Sequence, residues 1–264
     1  YQDYPGLFGV INSNSKITNL HVEGIITDSI SSNDYNGLGG IANMMVGGLV
    51  SNCSFSGKLK CAGLGGGIVG NVTKGGKITD CWSDADVFAE EVSGGIAGSF
   101  DYLSESNKDN IISNCLFLGT DKSDWMYDPI IYSFNDDDRS DGTVNNCYYI
   151  NSDFSASGEL VTVAQLKSGY VLGKLGSAWG QTLGEDTIPT PCKESKKGSA
   201  NYIYHGADGW TCDDFRITDG TALPVGLEFL AKKLTNSRTF SEGYYTVCLP
   251  YDLPVPVNTT YSDF

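Results

Sequence analysis

Apolar residues in this chain fall in short runs of about four to six, rich in β-branched types and bounded by Gly, Asn, Asp or Ser, a pattern that predicts strands rather than helices. The runs recur as two phrases in a fixed order. A glycine-rich phrase reads PGLFGVI at 5–11, GLGGIAN at 37–43, LGGGIVG at 64–70 and SGGIAGS at 93–99. Each is followed by a second phrase: ITNLHVEGII at 17–26, VSNCSFSGKL at 50–59, ITDCWSDADV at 78–87 and ISNCLFLGTD at 112–121. A fifth, weaker unit joins PIIYSF at 129–134 to VNNCYYINSD at 144–153 and lacks the Gly-Gly pair.

The second phrase keeps a register. Ile17, Val50, Ile78, Ile112 and Val144 share one slot, and Leu20, Cys53, Cys81, Cys115 and Cys147 share the slot three residues on. Between them stand Asn19, Asn52, Asp80, Asn114 and Asn146. Successive Leu/Cys positions are 33, 28, 34 and 32 residues apart, a period of stacked supersecondary units. The prediction is an all-β fold, a parallel β-helix or β-solenoid of about five coils, taken as right-handed because parallel crossovers almost always are. Equivalent side chains then lie ~4.8 Å apart in ladders. The Ile/Val and Leu/Cys slots face inward, with Ile68 buried between Ile41 and Ile96, and the Asn slot sits at a corner, where Asn tolerates left-handed geometry. The repeated glycines are expected to serve turns with φ > 0 and close approach of neighbouring coils. Variable spacers at 29–36, 101–110 and 135–142 are polar and belong in loops.

Beyond residue 155 the period breaks. Thr162 is a candidate N-cap for a helix carrying Val163, Leu166, Tyr170 and Leu172 near helical spacing, ended by Gly and Pro. A cap is expected there, because the last coil would otherwise leave an apolar end and unpaired strand edges; Trp179 is expected to pack in it. The predicted division is 1–155 for the solenoid, 156–195 for a helical C-terminal cap and tail, and 196–264 for a small β-rich module, expected to be incomplete within a larger protein.

Composition narrows the partners. Lys and Arg number 17 against 32 acidic residues, a net charge of −15, which repels phosphate backbones and anionic headgroups and sets nucleic acid aside. No run of about 18 apolar residues is present, so no membrane insertion is expected in this segment. A monomer is expected.

The phrases GGIVG...GGKITDC and GGIAG...IISNC resemble the GLUG-motif repeats of bacterial cell-surface proteins, over about residues 5–155 in five units. The tail WGQTLGEDTIPTP and the stretch RTFSEGYYTVCLPYDLPVP are similar to segments that follow such repeats in Bacteroides-type surface proteins. The resemblance implies an exported, adhesin-like, extracellular protein that binds a host protein or glycan, and similar repeats accompany some immunoglobulin-cleaving metallopeptidases. The family's repeat has no catalytic residues to carry over.

The candidate chemistry is sparse. Cys53, Cys81, Cys115 and Cys147 occupy an inward slot and read as small buried hydrophobes; Cys61, Cys192, Cys212 and Cys248 are irregular, and a Cys192–Cys212 bridge is weighed. With His21 and His205 the only histidines and no Cys-x-x-Cys pair, no metal site is expected. Asp136, Asp137, Asp138 and Asp141 offer oxygen ligands suited to calcium, but without EF-hand spacing, and a solvated loop is the preferred reading. Asp80, Asp84, Asp86, Glu90 and Glu91 crowd one unit, with Asp28 and Asp34 in another, as a β-helix polysaccharide lyase or hydrolase would need. Adjacent units do not repeat them at matching slots, and no Lys or Arg is expected beside them to hold an acidic sugar, so a charged solvent face is the preferred reading and no catalytic residue and no cofactor is assigned. Trp82, Phe55, Phe117 and Tyr149 fall near equivalent positions, and Trp125, Tyr127, Tyr132 and Tyr148 cluster in the last units. The binding candidates are Trp82, Trp125, Tyr127, Tyr132 and Tyr148, an exposed strip for sugar rings or a protein partner, against the alternative of an inward or cap-facing ladder. The expected function is non-enzymatic adhesion, with a polysaccharide-acting enzyme and a structural spacer as rivals.

Overall fold

In the computed structural model, which describes residues 6–28, 37–100, 109–132, 142–151, 157–221, 223–237 and 239, one corner of every coil turns on a left-handed residue. Asn19, Asn52, Asp80, Asn114 and Asn146 have φ of 58°, 52°, 55°, 54° and 48°. Asn and Asp bear this conformation at low cost because their short polar side chains bond locally. The turn swings the next residue inward. Where that residue is Cys, its thiol donates back to the carbonyl just before the corner: Cys53 to Ser51, Cys81 to Thr79, Cys115 to Ser113 and Cys147 to Asn145, each at 3.2 Å.

Strands on either side of the corner stack in parallel with the expected register. Val50 pairs with Ile17 and Ile78, and Ile112 with Ile78 and Val144. A third, shorter sheet joins Gly37–Gly39, Leu64–Gly66, Val92–Gly94 and Met126–Asp128. The fold is a parallel β-solenoid of four complete coils and a partial fifth, on which Glu159–Leu160 adds a last strand beside Tyr148–Tyr149. Ile41, Ile68, Ile96 and Ile130 form one buried row with the four cysteines in the same core.

Side chains at the corners also form a ladder. Asn52 Nδ2 donates to Asn19 Oδ1 (3.4 Å), Asn114 Nδ2 to Asp80 Oδ1 (3.1 Å) and Asn146 Nδ2 to Asn114 Oδ1 (3.2 Å). One link is missing. Asp80 has no amide N–H to give to Asn52, and Asn52 Oδ1 is buried without a partner.

The repeat glycines depart from expectation. None of Gly39, Gly40, Gly66, Gly67, Gly94 and Gly95 has positive φ; close approach alone requires them. A Cβ on Gly40 would lie 2.2 Å from the Phe55 ring, on Gly95 2.4 Å from the Phe117 ring, and on Gly67 2.1 Å from the Gly95 carbonyl oxygen. Phe55, Phe117 and Tyr149 thus fill an inward row whose third-coil member is Ser83, not Trp82. Trp82 stands one slot earlier, in an outward row with His21, Ser54, Leu116 and Tyr148.

The C-terminal part also differs from expectation. Thr162 caps the helix α1 (Val163–Lys167) through a reciprocal capping box with Gln165, but left-handed Gly169 ends it and α2 (Tyr170–Leu175) follows. The strand Trp179–Thr182 pairs antiparallel with Tyr202–Gly206, so the expected boundary at 195/196 runs through one sheet. Nor does this unit only close the last coil. Leu116 and Tyr148, both outward on the second sheet, are buried in one cluster with Leu166, Val171, Leu172, Leu175 and Trp179, so the unit lies against the side of the solenoid.

Two carboxylates end the interior. Asp128 is satisfied by the N–H groups of Ile130, Ile131 and Ser157 (2.9, 3.1 and 3.0 Å) and by the Ser157 hydroxyl. Asp121 stands in the row of Ile26, Leu59 and Val87. It is 5% exposed with one oxygen unpartnered, and burial, with the nearby Asp128, pushes its carboxyl up to about 7.

Gly67→Ala should destabilise the fold by roughly 1–3 kcal/mol in urea unfolding, because the Cβ meets backbone that cannot yield. Asp121 makes the fold pH-sensitive in a known direction. A carboxyl with a raised folded value contributes stability that is complete below its unfolded value of about 3.9 and is lost as pH rises through about 7. Asp121→Asn should therefore gain on the parent between pH 4 and pH 8, by on the order of 4 kcal/mol; parallel stability profiles for the two proteins would contradict this.

Candidate functional site

Where the side-packed unit stops short of the first coils, it leaves a groove against the outward row. The solenoid wall carries Asn19, His21, Asn52, Ser54 and Trp82, and the other wall is the segment Thr190, Pro191, Cys192 and Lys193. Its volume is about 490 Å³, within the ~300–1,000 Å³ range of small-ligand sites. His21, Ser54 and Trp82 are brought together by register, as consecutive rungs of the second sheet. The rings of His21 and Trp82 stack at 5.9 Å between centroids and 21° between planes. His21 Nδ1 lies 2.8 Å from Ser54 Oγ.

This arrangement stacks the exposed His21 ring on the half-buried Trp82 indole, beside hydroxyl and amide groups. Among the described residues no carboxylate lines the groove, although the chain carries 32 acidic residues. The far wall is held from behind: Cys192 N–H donates to the Ala178 carbonyl (2.7 Å) and Lys193 N–H to the Tyr202 hydroxyl (2.9 Å). Asp80 lies at the corner two residues before Trp82, and burial pushes its carboxyl above the usual range, opposed by Asn114, Thr79 and the Trp179 indole. The Trp179 N–H makes no hydrogen bond of ordinary geometry.

The predicted aromatics separate. Trp82 lines the groove. Tyr148 is a correction: it is 4% exposed, packed under the C-terminal unit with the Lys174 ammonium 6.0 Å from its ring centre, so it offers no surface platform. Trp125 is 62% exposed, and neither it nor half-buried Tyr132 lines the groove. Tyr127 borders a second recess of about 700 Å³ with Thr120, Asp121 and Lys122. The unpartnered Asp121 oxygen there has no contact with solvent, and Thr120 Oγ1 is already donated to Asp86 (2.8 Å).

The acidic residues do not gather into a centre. Asp86 sits on the surface 4.0 Å from Lys58, and among the described residues no three His, Cys, Asp or Glu side chains converge to hold a metal ion. Asp34 and the loop bearing Asp136, Asp137, Asp138 and Asp141 lie outside the described residues, as does Cys248. The weighed Cys192–Cys212 bridge is absent, and both are free thiols. Cys212 ends a strand separated from Thr190–Pro191 by two others, beyond the ~7 Å limit between bridged Cα atoms. Cys53 N–H donates to Cys81 Sγ (3.4 Å), and the neighbouring Cys81 thiol lowers that of Cys53 to about 7, but its side chain is wholly covered.

Register could have shown His21 and Ser54, since both occupy the slot of Trp82 directly after the Leu/Cys position. Nothing in the repeat pattern points to residues 190–193.

No protein-family model and no curated protein matches the chain. Among solved structures it is similar to a crystal structure described as a putative immunoglobulin A1 protease from Bacteroides ovatus, at 18% identity and a TM-score of 0.48, over 72% of each chain. That likeness carries nothing about what this chain binds or does.

Thiol accessibility provides a test of the groove's far wall. In a Cys248→Ser background, a thiol reagent should modify one half-buried cysteine, Cys192, in the native protein, and the six buried ones only after unfolding. Rapid native labelling of Cys53 or Cys115 would contradict the sealed thiol row.

Proposed function

We propose that this chain is a non-enzymatic glycan-binding segment of an exported bacterial surface protein, with the Trp82 groove as its binding site. The observation that carries the reading is the Trp82 indole stacked on His21 in a concave site lined by Asn and Ser side chains. Sugar rings present C–H faces that pack on aromatic planes, and hydroxyls that exchange hydrogen bonds with amides and hydroxyls. The described lining includes amides, hydroxyls and two aromatic rings, groups suited to holding a sugar, whereas glycoside cleavage would call for a pair of carboxylates. The surface location and adhesin-like role rest on the GLUG resemblance. The solenoid supplies rigidity, since each coil is hydrogen-bonded above and below.

The test is a glycan array followed by titration calorimetry on the retained sugars. Trp82→Ala should weaken binding at least tenfold, about 1.4 kcal/mol, while Trp82→Phe retains part of it and both variants keep the parent's circular dichroism. A parent protein that binds no glycan, or a Trp82→Ala variant with parental affinity, would leave the structural-spacer role in its place.

A further inference from the structure

The missing rung of the corner ladder lies at the edge of the groove. At three corners an Asn side chain donates its Nδ2 to the Oδ1 of the coil before it. At the third corner the donor's place is taken by a carboxyl oxygen of Asp80, and the acceptor it should serve, Asn52 Oδ1, is buried and unpartnered. Asn52 is itself a groove residue, and its Nδ2 is committed to Asn19, another groove residue. An ionised Asp80 presents only lone pairs to that oxygen. A protonated one carries the O–H that the site lacks.

We infer that Asp80 is a positioning residue for the Trp82 groove, and that its proton switches the groove floor between a closed and a broken ladder. With the proton on, Asp80 donates to Asn52 Oδ1, and Asn19, Asn52, Asp80, Asn114 and Asn146 form one continuous chain of side-chain hydrogen bonds. With the proton off, Asn52 is tethered to Asn19 only, and its amide can turn over to give Nδ2 to the carboxylate, releasing Asn19 at the groove wall. The groups that set the Asp80 proton are Asn114 and Thr79 from the solenoid and the Trp179 indole from the packed unit, with burial as the largest influence. None of the three side chains is ionisable; the ionisable groups of the groove are His21, Cys192 and Lys193, and His21 stacks on Trp82, so the Asn52 amide and not the Trp82 indole reports the switch. Burial raises the proton's affinity above that of an ordinary carboxylate. The ladder therefore closes as pH falls and opens as it rises through that value.

This inference rests on the glycan reading for its functional consequence, but not for its physical content, and the experiment separates the two. Side-chain amide signals are followed by heteronuclear NMR in the full chain from pH 3 to pH 8. In the parent, the Asn52 amide should shift through one midpoint above the usual carboxylate range. In Asp80→Asn, which restores the missing donor while Asn tolerates the left-handed corner, the Asn52 amide should stay flat at the low-pH position. An Asn52 amide that does not titrate, or that titrates equally in Asp80→Asn, overturns the switch. The second arm measures affinity for N,N′,N″-triacetylchitotriose and mannotriose, and for any sugar retained on the array, across the same range. Parent affinity should fall by roughly threefold to tenfold above the midpoint, the weight of one hydrogen bond, and Asp80→Asn should hold the low-pH affinity throughout. A titrating Asn52 with pH-independent sugar affinity overturns the positioning role. If no sugar binds at any pH, the glycan reading fails and the NMR arm alone decides the switch.

Discussion

The left-handed corner is the constraint from which the rest of the solenoid follows. A chain that must stack equivalent coils needs one sharp bend at the same place in each, and a residue with φ near 50° supplies it without inserting a loop. The carbonyl before each bend is paired across the stack, accepting the corner N–H of the coil before it: Asn19 to Ser51, Asn52 to Thr79, Asp80 to Ser113 and Asn114 to Asn145. A cysteine after the bend is small and apolar enough for the core, and its thiol finds an acceptor in the second lone pair of that carbonyl, so its own polar atom is not left unpaired. Leucine suffices only at Leu20 in the first coil, which is partly exposed. The recurring Asn-Cys and Asp-Cys pairs are thus one device for turning a strand inward with its polar groups satisfied.

The opposite requirement holds across the core, where the third sheet comes so close to the second that no side chain fits between backbone and ring. Glycine there is a matter of space, since its φ is ordinary and the intruding atoms are the Phe55 and Phe117 rings and neighbouring carbonyls. Large and small alternate along the inward row, from Phe55 to Ser83 to Phe117. The coil whose inward member is Ser83 places its aromatic outside, as Trp82. Core packing and groove chemistry are in this way linked through two adjacent residues.

Much of this architecture was legible because a repeat multiplies its own signal. Five aligned phrases exposed the Ile/Val and Leu/Cys rows, the corner slot and the position of the loops, and each of Asn19, Asn52, Asp80, Asn114 and Asn146 is left-handed as its residue type indicated. The alternation of strand faces was harder to read, since a displacement of one residue exchanges inside for outside. Grouping Trp82 with Phe55 made that slip, and counting from the cysteine corrects it. The C-terminal unit had no second copy to align with, so neither its docking against Leu116 and Tyr148 nor the joining of Trp179–Thr182 to Tyr202–Gly206 was visible. Half of the groove is therefore readable from the repeats and half is not.

The groove exists because that docking is partial. The outward row runs from His21 and Ser54 through Trp82 to Leu116 and Tyr148, polar at one end and apolar at the other. The C-terminal unit covers the apolar end and ends its cover at Trp82, which belongs to the margin of the buried cluster and to the wall of the groove. A tryptophan at such a margin is held in one orientation by the packed side and by the stacked His21 ring, so the ordering entropy of a large side chain is spent in folding rather than in binding. The same unit brings Trp179 against Asp80, so the element that bounds the groove also sets the surroundings of the acid at its edge. Fixing the platform and tuning the amide ladder beside it are two results of a single packing event.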